Sequence, residues 1–229
     1  MVHYSAPHFT PSHDRNRYRN DYLCEMPFKK LHPELKEKLA QLEMETPTPL
    51  QRKSIPVIKS GMNVYCIGPK DAGKTTTLIL TTLQKLKCEA VGEAPRAIVL
   101  VENKEKALEM QDRFTVYTRH TSLRTYVAYE KMHIDLQKSE ILEGVDILIS
   151  TPKNLNKLFL LNGVHTAQLK IFSIDDADFL SQQSAYAALL SVTQSLMKCQ
   201  YVIYAEEMNA KLKRYDNYFM EYSKKISLS

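Results

Sequence analysis

Gly68-Pro-Lys-Asp-Ala-Gly73-Lys74-Thr75 directly follows the apolar run Val64-Tyr-Cys-Ile67, and together these residues decide the fold. The spacing G-x-x-x-x-G-K-T is that of a phosphate loop, in which backbone N–H groups surround the phosphates, the lysine reaches the β and γ phosphates, and the threonine hydroxyl can bind Mg²⁺. A helix-forming run over 76–86 follows, and its N-terminal dipole favours an anion. The pattern therefore predicts a nucleoside triphosphate site formed by Gly68, Asp71, Ala72, Gly73, Lys74 and Thr75.

Composition sets the broad class. The chain has 229 residues, of which 44% are hydrophobic and 25% charged, enough for one full core. No apolar run approaches the roughly 18 residues that span a bilayer, and the first residues lack the apolar segment of a signal peptide, so we expect a cytoplasmic protein without a membrane partner. The net charge of +5 is compatible with a polyanionic partner but does not demand one.

The four cysteines stand far apart. They are Cys24, Cys66, Cys88 and Cys199, with no C-x-x-C pair among them. This spacing disfavours both a zinc site and a disulfide framework, and predicts reduced thiols.

The organisation of the chain changes after its first residues. Residues 1–22 carry two prolines, three histidines and almost no aliphatic side chains, which predicts a disordered tail before a single domain over 23–229. Later, apolar runs alternate with helical stretches, as in an α/β fold with a parallel sheet and helices on both faces. We predict strands at 64–67, 97–101, 125–128, 145–149, 171–174 and 201–204, and helices at 104–117, 154–161, 179–197 and 210–225.

A second motif supplies carboxylates for a metal. The apolar run Ile171-Phe-Ser-Ile174 ends in Asp175-Asp176-Ala177-Asp178, the pattern of a Walker B segment. Because strands of an open α/β sheet present ligand-binding residues at their carboxyl ends, both motifs should meet at one edge, with Thr75 and Asp175 as Mg²⁺ ligands. The alternative is that these acids only cap the helix that follows.

With these residues in place, the chain resembles the N-terminal RecA-like domain of a DEAD-box RNA helicase. Thr46-Pro-Thr-Pro-Leu-Gln51 resembles the family's Q motif, and the acidic tetrad takes the place of its signature. The resemblance implies that Gln51 and Phe28 contact adenine, that Lys74, Asp175 and Asp176 serve catalysis, and that Lys104, Thr151, Pro152 and Lys153 lie where RNA is contacted. It implies ATP and Mg²⁺ as cofactors.

The chain departs from the family pattern mainly at hydrolysis and coupling positions. Asp176 replaces a glutamate, Ala205-Glu206-Glu207 replaces Ser-Ala-Thr, and Lys153-Asn154 replaces Gly-Arg. Asp71 replaces a glycine of the loop, and aspartate can adopt the left-handed backbone conformation expected there. The second RecA-like domain, which supplies arginine fingers in this family, is expected to be absent.

These features lead to three hypotheses. The first is an ATP-binding and RNA-binding module with weak or no ATPase activity and no unwinding of its own. The second is an RNA-stimulated ATPase that a partner protein completes with a second RecA-like domain. The third is a small-molecule P-loop kinase, which would leave Gln51 and the acidic tetrad unexplained.

Overall fold

A computed structural model describes residues 27–228, and within them the chain forms one parallel sheet with the strand order β3-β4-β2-β5-β6-β1-β7. The predicted disordered tail, 1–22, lies outside the described residues. All six strand pairs are parallel. The strands are β1 (Val64–Ile67), β2 (Ala97–Leu100), β3 (Thr125–Ala128), β4 (Ile147–Ser150), β5 (Ile171–Ile174), β6 (Gln200–Ala205) and β7 (Lys224–Ser227).

Helices connect the strands and cover both faces of the sheet. They are α1 (Pro33–Gln41), α2 (Pro49–Lys59), α3 (Lys74–Leu86), α4 (Lys104–Thr118), α5 (Ile134–Gly144), α6 (Pro152–Leu160), α7 (Gln183–Gln194) and the short α8 (Ala210–Lys213), with 3₁₀ turns at Ala177–Ser181 and Arg214–Asn217. Between residues 27 and 228 no helix combines the length and the apolar character needed to cross a bilayer.

The core has two layers because successive side chains of a strand point to opposite faces. Val64 and Cys66 of β1 belong to the apolar cluster that also contains side chains of α1, α2, α3 and α4. Tyr65 and Ile67 belong to the other cluster, which α5, α6 and α7 cover. Burial on both faces explains why the central strands read as short continuous apolar runs. The predicted α/β architecture is therefore confirmed.

The sequence located the central elements well. Strands β1, β3 and β5 begin and end at the predicted residues, and β2, β4 and β6 differ by one or two residues. The helix predicted over 179–197 is instead a 3₁₀ turn, Ala177–Ser181, followed by α7, because the backbone of Gln182 is extended between them.

The predicted C-terminal helix over 210–225 is wrong. Only α8 and a 3₁₀ turn form there, and the chain then pairs as β7 with the otherwise free edge of β1. Tertiary packing accounts for this, since the Tyr215 ring is fully buried and lies 5.0 Å from the Phe219 ring. The side chain of Asn63 also donates a hydrogen bond to the carbonyl of Phe219. Pairing of an exposed strand edge outweighs the weak helical pattern of this segment.

A buried ionic cluster joins the amino ends of the strands opposite the phosphate loop. The carboxylate of Asp146, just before β4, is fully buried and accepts hydrogen bonds from Arg96 before β2, from Arg124 before β3, and from the backbone N–H of Val91. Burial alone would raise the pKa of Asp146, but the hydrogen bonds from Arg124 and Arg96 outweigh it and hold the pKa below its usual value. Three neighbouring strands are thereby fixed in register.

Substitution of Asp146 by alanine should lower the free energy of unfolding at neutral pH by about 3–5 kcal/mol, because it leaves Arg96 charged and buried without its partner. Urea denaturation measures this, and Asp112→Ala, at an exposed position of α4, is the control, expected to change stability by less than about 0.5 kcal/mol. A carboxylate with a lowered pKa stabilises the fold above its unfolded pKa of about 3.9, and that stability is lost as the pH falls below it. The difference between wild type and Asp146→Ala should therefore shrink in acid, and an equal difference at all pH values would contradict this assignment.

Candidate functional site

The phosphate loop lies in a cavity at the carboxyl edge of the sheet. Three neighbouring strands contribute to it: the loop follows β1, Asp175 follows β5, and Glu206 follows β6. Helix α4 closes the cavity from the side. The volume is about 620 Å³, within the range of small-molecule sites.

The loop has the backbone conformation that its sequence requires. Asp71 and Gly73 adopt φ angles of 63° and 87°, so Asp71 does take the left-handed conformation expected of it. Helix α3 begins directly after Gly73, which points its N-terminus into the cavity. The ammonium group of Lys74 donates hydrogen bonds to the carbonyls of Gly68 at 2.7 Å and Pro69 at 3.0 Å. To hold a phosphate, it has to exchange these loop carbonyls for phosphate oxygens.

Thr48 and Gln51 attach helix α2 to the loop. They form a capping box, in which the Thr48 hydroxyl accepts from the backbone N–H of Gln51 and the Gln51 side chain accepts from that of Thr48. The Thr48 hydroxyl also donates to the carbonyl of Ala72 at 2.8 Å, and the Gln51 amide donates to the carbonyl of Gly73 at 3.4 Å. A Cβ atom on Gly73 would meet the Gln51 amide nitrogen at 2.8 Å, so any other residue there would displace the Gln51 side chain. Gln51 therefore lies directly behind the loop.

Phe28, predicted to stack on adenine, is not brought to the cavity. Its side chain is only 6% exposed and packs in the core with Leu31, Leu35 and Leu39. Phe28 is not among the residues that line the cavity around the phosphate loop. Burial of the apolar side of this segment holds the ring in the core, and the contact of Phe28 with adenine stays a prediction.

Thr75 and Asp175 are adjacent, as expected. The Thr75 hydroxyl lies 3.3 Å from a carboxylate oxygen of Asp175. Hydroxyl and carboxylate oxygens are the hard donors that Mg²⁺ prefers, so this pair fits the ion. Burial, and next the neighbouring charge of Asp176, raise the pKa of Asp175 to about 7. Deprotonation of this carboxyl group is therefore less favourable than that of an exposed aspartate.

Asp176 has a different environment from Asp175. Its side chain is 51% exposed and lies 3.9 Å from the Lys74 ammonium. Its backbone is left-handed, with φ 45° and ψ 59°, a conformation that aspartate, like Asp71 in the loop, adopts more readily than most residues other than glycine. The hydrogen bonds of the tetrad go to neighbouring segments, as when Asp178 accepts from the backbone N–H of Glu206 at 3.5 Å.

Several cavity residues escaped the sequence analysis. Lys106, Glu109 and Arg113 lie on one face of α4, and the Arg113 guanidinium is 2.6 Å from the Glu109 carboxylate. Their spacing on a helix could have indicated a shared face, but only the sheet order shows that this face meets the loop. Four basic and five acidic side chains line the cavity in all. Its charge is thus close to balanced, unlike a strongly cationic phosphate site.

The residues predicted to contact RNA lie at the other half of the same edge. Lys104 follows β2, and Thr151, Pro152 and Lys153 follow β4, which is the neighbour of β2 in the sheet. Lys153 is exposed, whereas Thr151 and Pro152 are buried, and the Thr151 hydroxyl has no hydrogen-bond partner.

The neighbouring turn is held by a buried amide pair. The Lys104 ammonium lies 5.0 Å from the centre of the Tyr129 ring, which follows β3. The side-chain amide of Gln137 donates to the carbonyls of Tyr129 and Met132, and its oxygen accepts from Asn154 at 2.6 Å. These two amides, which the sequence analysis missed, connect the turn after β3 to helix α6.

Comparisons with known proteins agree with this arrangement. The sequence model of the DEAD/DEAH box helicase family matches residues 48–205, which is more than half of the chain. The ATP-dependent RNA helicase RhlB of Shewanella oneidensis is 27% identical over 164 residues, which cover 69% of this chain and 37% of that protein. The ATP-dependent RNA helicase DBP10 of Phaeosphaeria nodorum is 26% identical over 166 residues, which cover 72% of this chain and 19% of that protein. The chain thus spans less than two fifths of the length of these relatives.

Solved structures share the fold. A DEAD box protein from Methanococcus jannaschii superposes with a TM-score of 0.80 at 17% identity, covering 87% of this chain and 55% of that one. S. cerevisiae Dbp5 bound to RNA and ADP BeF3 superposes with a TM-score of 0.76 at 20% identity, covering 91% of this chain and 51% of that one. The RecA-like P-loop fold predicted from the sequence is therefore confirmed.

Proposed function

This chain belongs to the DEAD/DEAH box helicase family, and on that premise we propose that it binds ATP with Mg²⁺ at the phosphate loop and RNA at the adjoining edge. The observation that carries the proposal is the meeting of Lys74, Thr75 and Asp175 in one cavity, with Gln51 directly behind the loop. Family membership leaves the alternative of a small-molecule kinase without support.

The nucleotide is proposed to lie with its phosphates on the loop N–H groups, Lys74 and the N-terminus of α3. Thr75 and Asp175 would hold Mg²⁺, which when bound neutralises phosphate charge and orients the terminal phosphate. Because acidic side chains slightly outnumber basic ones in the cavity, we expect ATP to bind weakly without a divalent cation. Gln51 is the residue proposed to meet the adenine edge, after a change of hydrogen-bond partners.

Autonomous hydrolysis is proposed to be weak or absent. The Asp176 side chain is one methylene shorter than the glutamate of the family pattern, and a displacement of about 1 Å can cost roughly a hundredfold in rate. Ala205-Glu206-Glu207 offers no hydroxyl where the pattern has two. Arginine fingers from a second RecA-like domain contribute about 10³–10⁵-fold to phosphoryl transfer, so the described domain also needs such groups from elsewhere.

RNA is proposed to lie across the ends of β2 and β4. Helices α4 and α6 begin there, so their N-terminal N–H groups face the same edge as Lys104 and Lys153. Phosphate contacts of this kind give affinity without sequence preference. With two lysines and two helix ends, we expect weak binding that strengthens when ATP is present.

Lys74→Ala should abolish ATP binding in isothermal titration calorimetry with Mg²⁺, because it removes the only loop lysine that is buried beside the phosphate position. Lys198→Ala is the matched control, since Lys198 is exposed at the amino edge of the sheet, just before β6, and should leave the titration unchanged. An unaltered titration in Lys74→Ala would contradict the assignment of the ATP site to the phosphate loop.

Lys104→Ala and Lys153→Ala should each weaken binding of a fluorescent single-stranded oligoribonucleotide, measured by anisotropy with Mg²⁺ and a nonhydrolysable ATP analogue. Each loss of a phosphate contact should also reduce the slope of log affinity against log salt by about 0.7–1. Lys198→Ala again serves as control. If the wild-type chain shows no affinity at low salt, with or without the analogue, the RNA part of the proposal fails.

ATP turnover separates a binding module from an ATPase that is completed in trans. The chain alone should show no RNA-stimulated turnover above that of Lys74→Ala. If a partner completes the site, the second RecA-like domain of a DEAD-box relative, added in trans with RNA, should raise turnover, and Asp176→Glu should raise it further. RNA-stimulated turnover by the chain alone would contradict the proposed weak activity.

A further inference from the structure

Three side chains with metal-binding atoms meet at the edge of the sheet opposite the phosphate loop. His32 precedes α1, Glu34 lies in its first turn, and Cys88 follows the end of α3. The imidazole nitrogen, the carboxylate oxygen and the sulfur all lie within 4.8 Å of one another. They come from two separate segments that the fold brings together.

The imidazole of His32 has an unsatisfied polar atom. Its Nδ1 atom is buried and has no hydrogen-bond partner among the described residues. Leaving such a group unpaired costs about 1–3 kcal/mol, so a native structure usually supplies a partner. The residue itself is held in place, because its backbone N–H donates to the side-chain oxygen of Gln84 at 2.6 Å.

The thiol of Cys88 is positioned beside this imidazole by an unusual backbone. Lys87 and Cys88 have φ angles of 59° and 56°, two consecutive left-handed residues that are not glycine. The side chain is 2% exposed and not in a disulfide; its sulfur lies 3.9 Å from the carbonyl of Leu83, and its thiol is also hydrogen-bonded to the Glu34 carboxylate. The chain therefore turns sharply after α3 and directs a buried sulfur toward α1.

We propose that His32, Glu34 and Cys88 bind a borderline divalent transition metal, Zn²⁺ being the best fit, and that this metal joins α1 to the end of α3. Imidazole, thiolate and carboxylate are the three ligand types that Zn²⁺ takes in proteins. Bonds of about 2.0–2.3 Å place such donors roughly 3.5 Å apart around a tetrahedral ion, so side-chain movements of about 1 Å complete the arrangement. Water fills the fourth position.

This site is distinct from the proposed Mg²⁺ site. Helix α3 has 13 residues, which separates its ends by about 20 Å. The donors also differ, since Mg²⁺ prefers oxygen ligands and avoids sulfur. Zn²⁺ binding at this site can therefore be tested independently of ATP binding.

The untagged full chain, titrated with Co²⁺ as a spectroscopic probe for Zn²⁺, tests the proposal. We expect about one equivalent of Co²⁺ to produce a thiolate-to-cobalt charge-transfer absorption in the near ultraviolet, which added Zn²⁺ removes. Cys88→Ser should lose this absorption, whereas Cys199→Ser, at a partly buried free cysteine elsewhere in the fold, should keep it. No such absorption in the wild type, or one that persists in Cys88→Ser, would overturn the proposal.

A second readout keeps the test valid if Cys88→Ser fails to fold. Zn²⁺ should raise the melting temperature of the wild type, and EDTA should reverse the rise, because a ligand that binds only the folded state stabilises it. His32→Ala and Glu34→Gln should each reduce the shift at a given Zn²⁺ concentration. If both variants show the same rise in melting temperature as the wild type, the assignment of His32 and Glu34 as ligands is wrong.

Discussion

Parallel pairing of every described strand is the constraint on which both candidate sites depend. Each strand ends at the same edge, so residues that follow β1, β5 and β6 gather around the phosphate loop, and residues that follow β2, β3 and β4 gather beside it. The ionic cluster around Asp146 fixes the amino ends of three strands and thereby their register. A slip of one residue in β4 would exchange the side chains on its two faces and would shift Thr151 and Lys153 relative to Lys104. The proposed ATP and RNA sites are neighbours because the strand order divides this one edge into two halves.

The chemistry of the nucleotide cavity is a balance of charges rather than a concentration of positive charge. The Lys74 ammonium donates hydrogen bonds to loop carbonyls and lies 3.9 Å from the Asp176 carboxylate, and burial beside another acid raises the pKa of Asp175. In the proposed complex, the phosphates would compensate the charge of Lys74 and the cation would compensate the charge of Asp175. These charges are the physical basis of the proposal that the chain binds ATP with Mg²⁺ and has weak or no hydrolysis of its own.

Long-range packing explains where the sequence-based predictions were wrong. The tyrosine-rich segment after residue 209 has a helical pattern, yet the open edge of β1 and a pocket for Tyr215 favour β7. Phe28 was matched by position to an adenine contact, which stays a prediction, and its ring packs in the core. The spacing of the cysteines argues against a zinc motif of ligands close in sequence, whereas the zinc site that we propose joins segments that are distant in sequence. Cys88 meets His32 across 56 positions of the chain, and only the folded backbone brings them together.

Local residue patterns were sufficient to predict the phosphate loop, the acidic end of β5, the Q-like segment and the α/β class, because these depend on local residue order and on the two-residue alternation of strands. Three features became visible only in the folded chain: which face of α4 meets the loop, the contacts of Gln51 and Thr48 with the loop, and the pairing of the C-terminal residues. The physical reason is the range of the interactions. Backbone conformation and capping are set within about four residues, whereas burial, charge pairing and metal-ligand geometry depend on segments that meet only after the sheet has assembled.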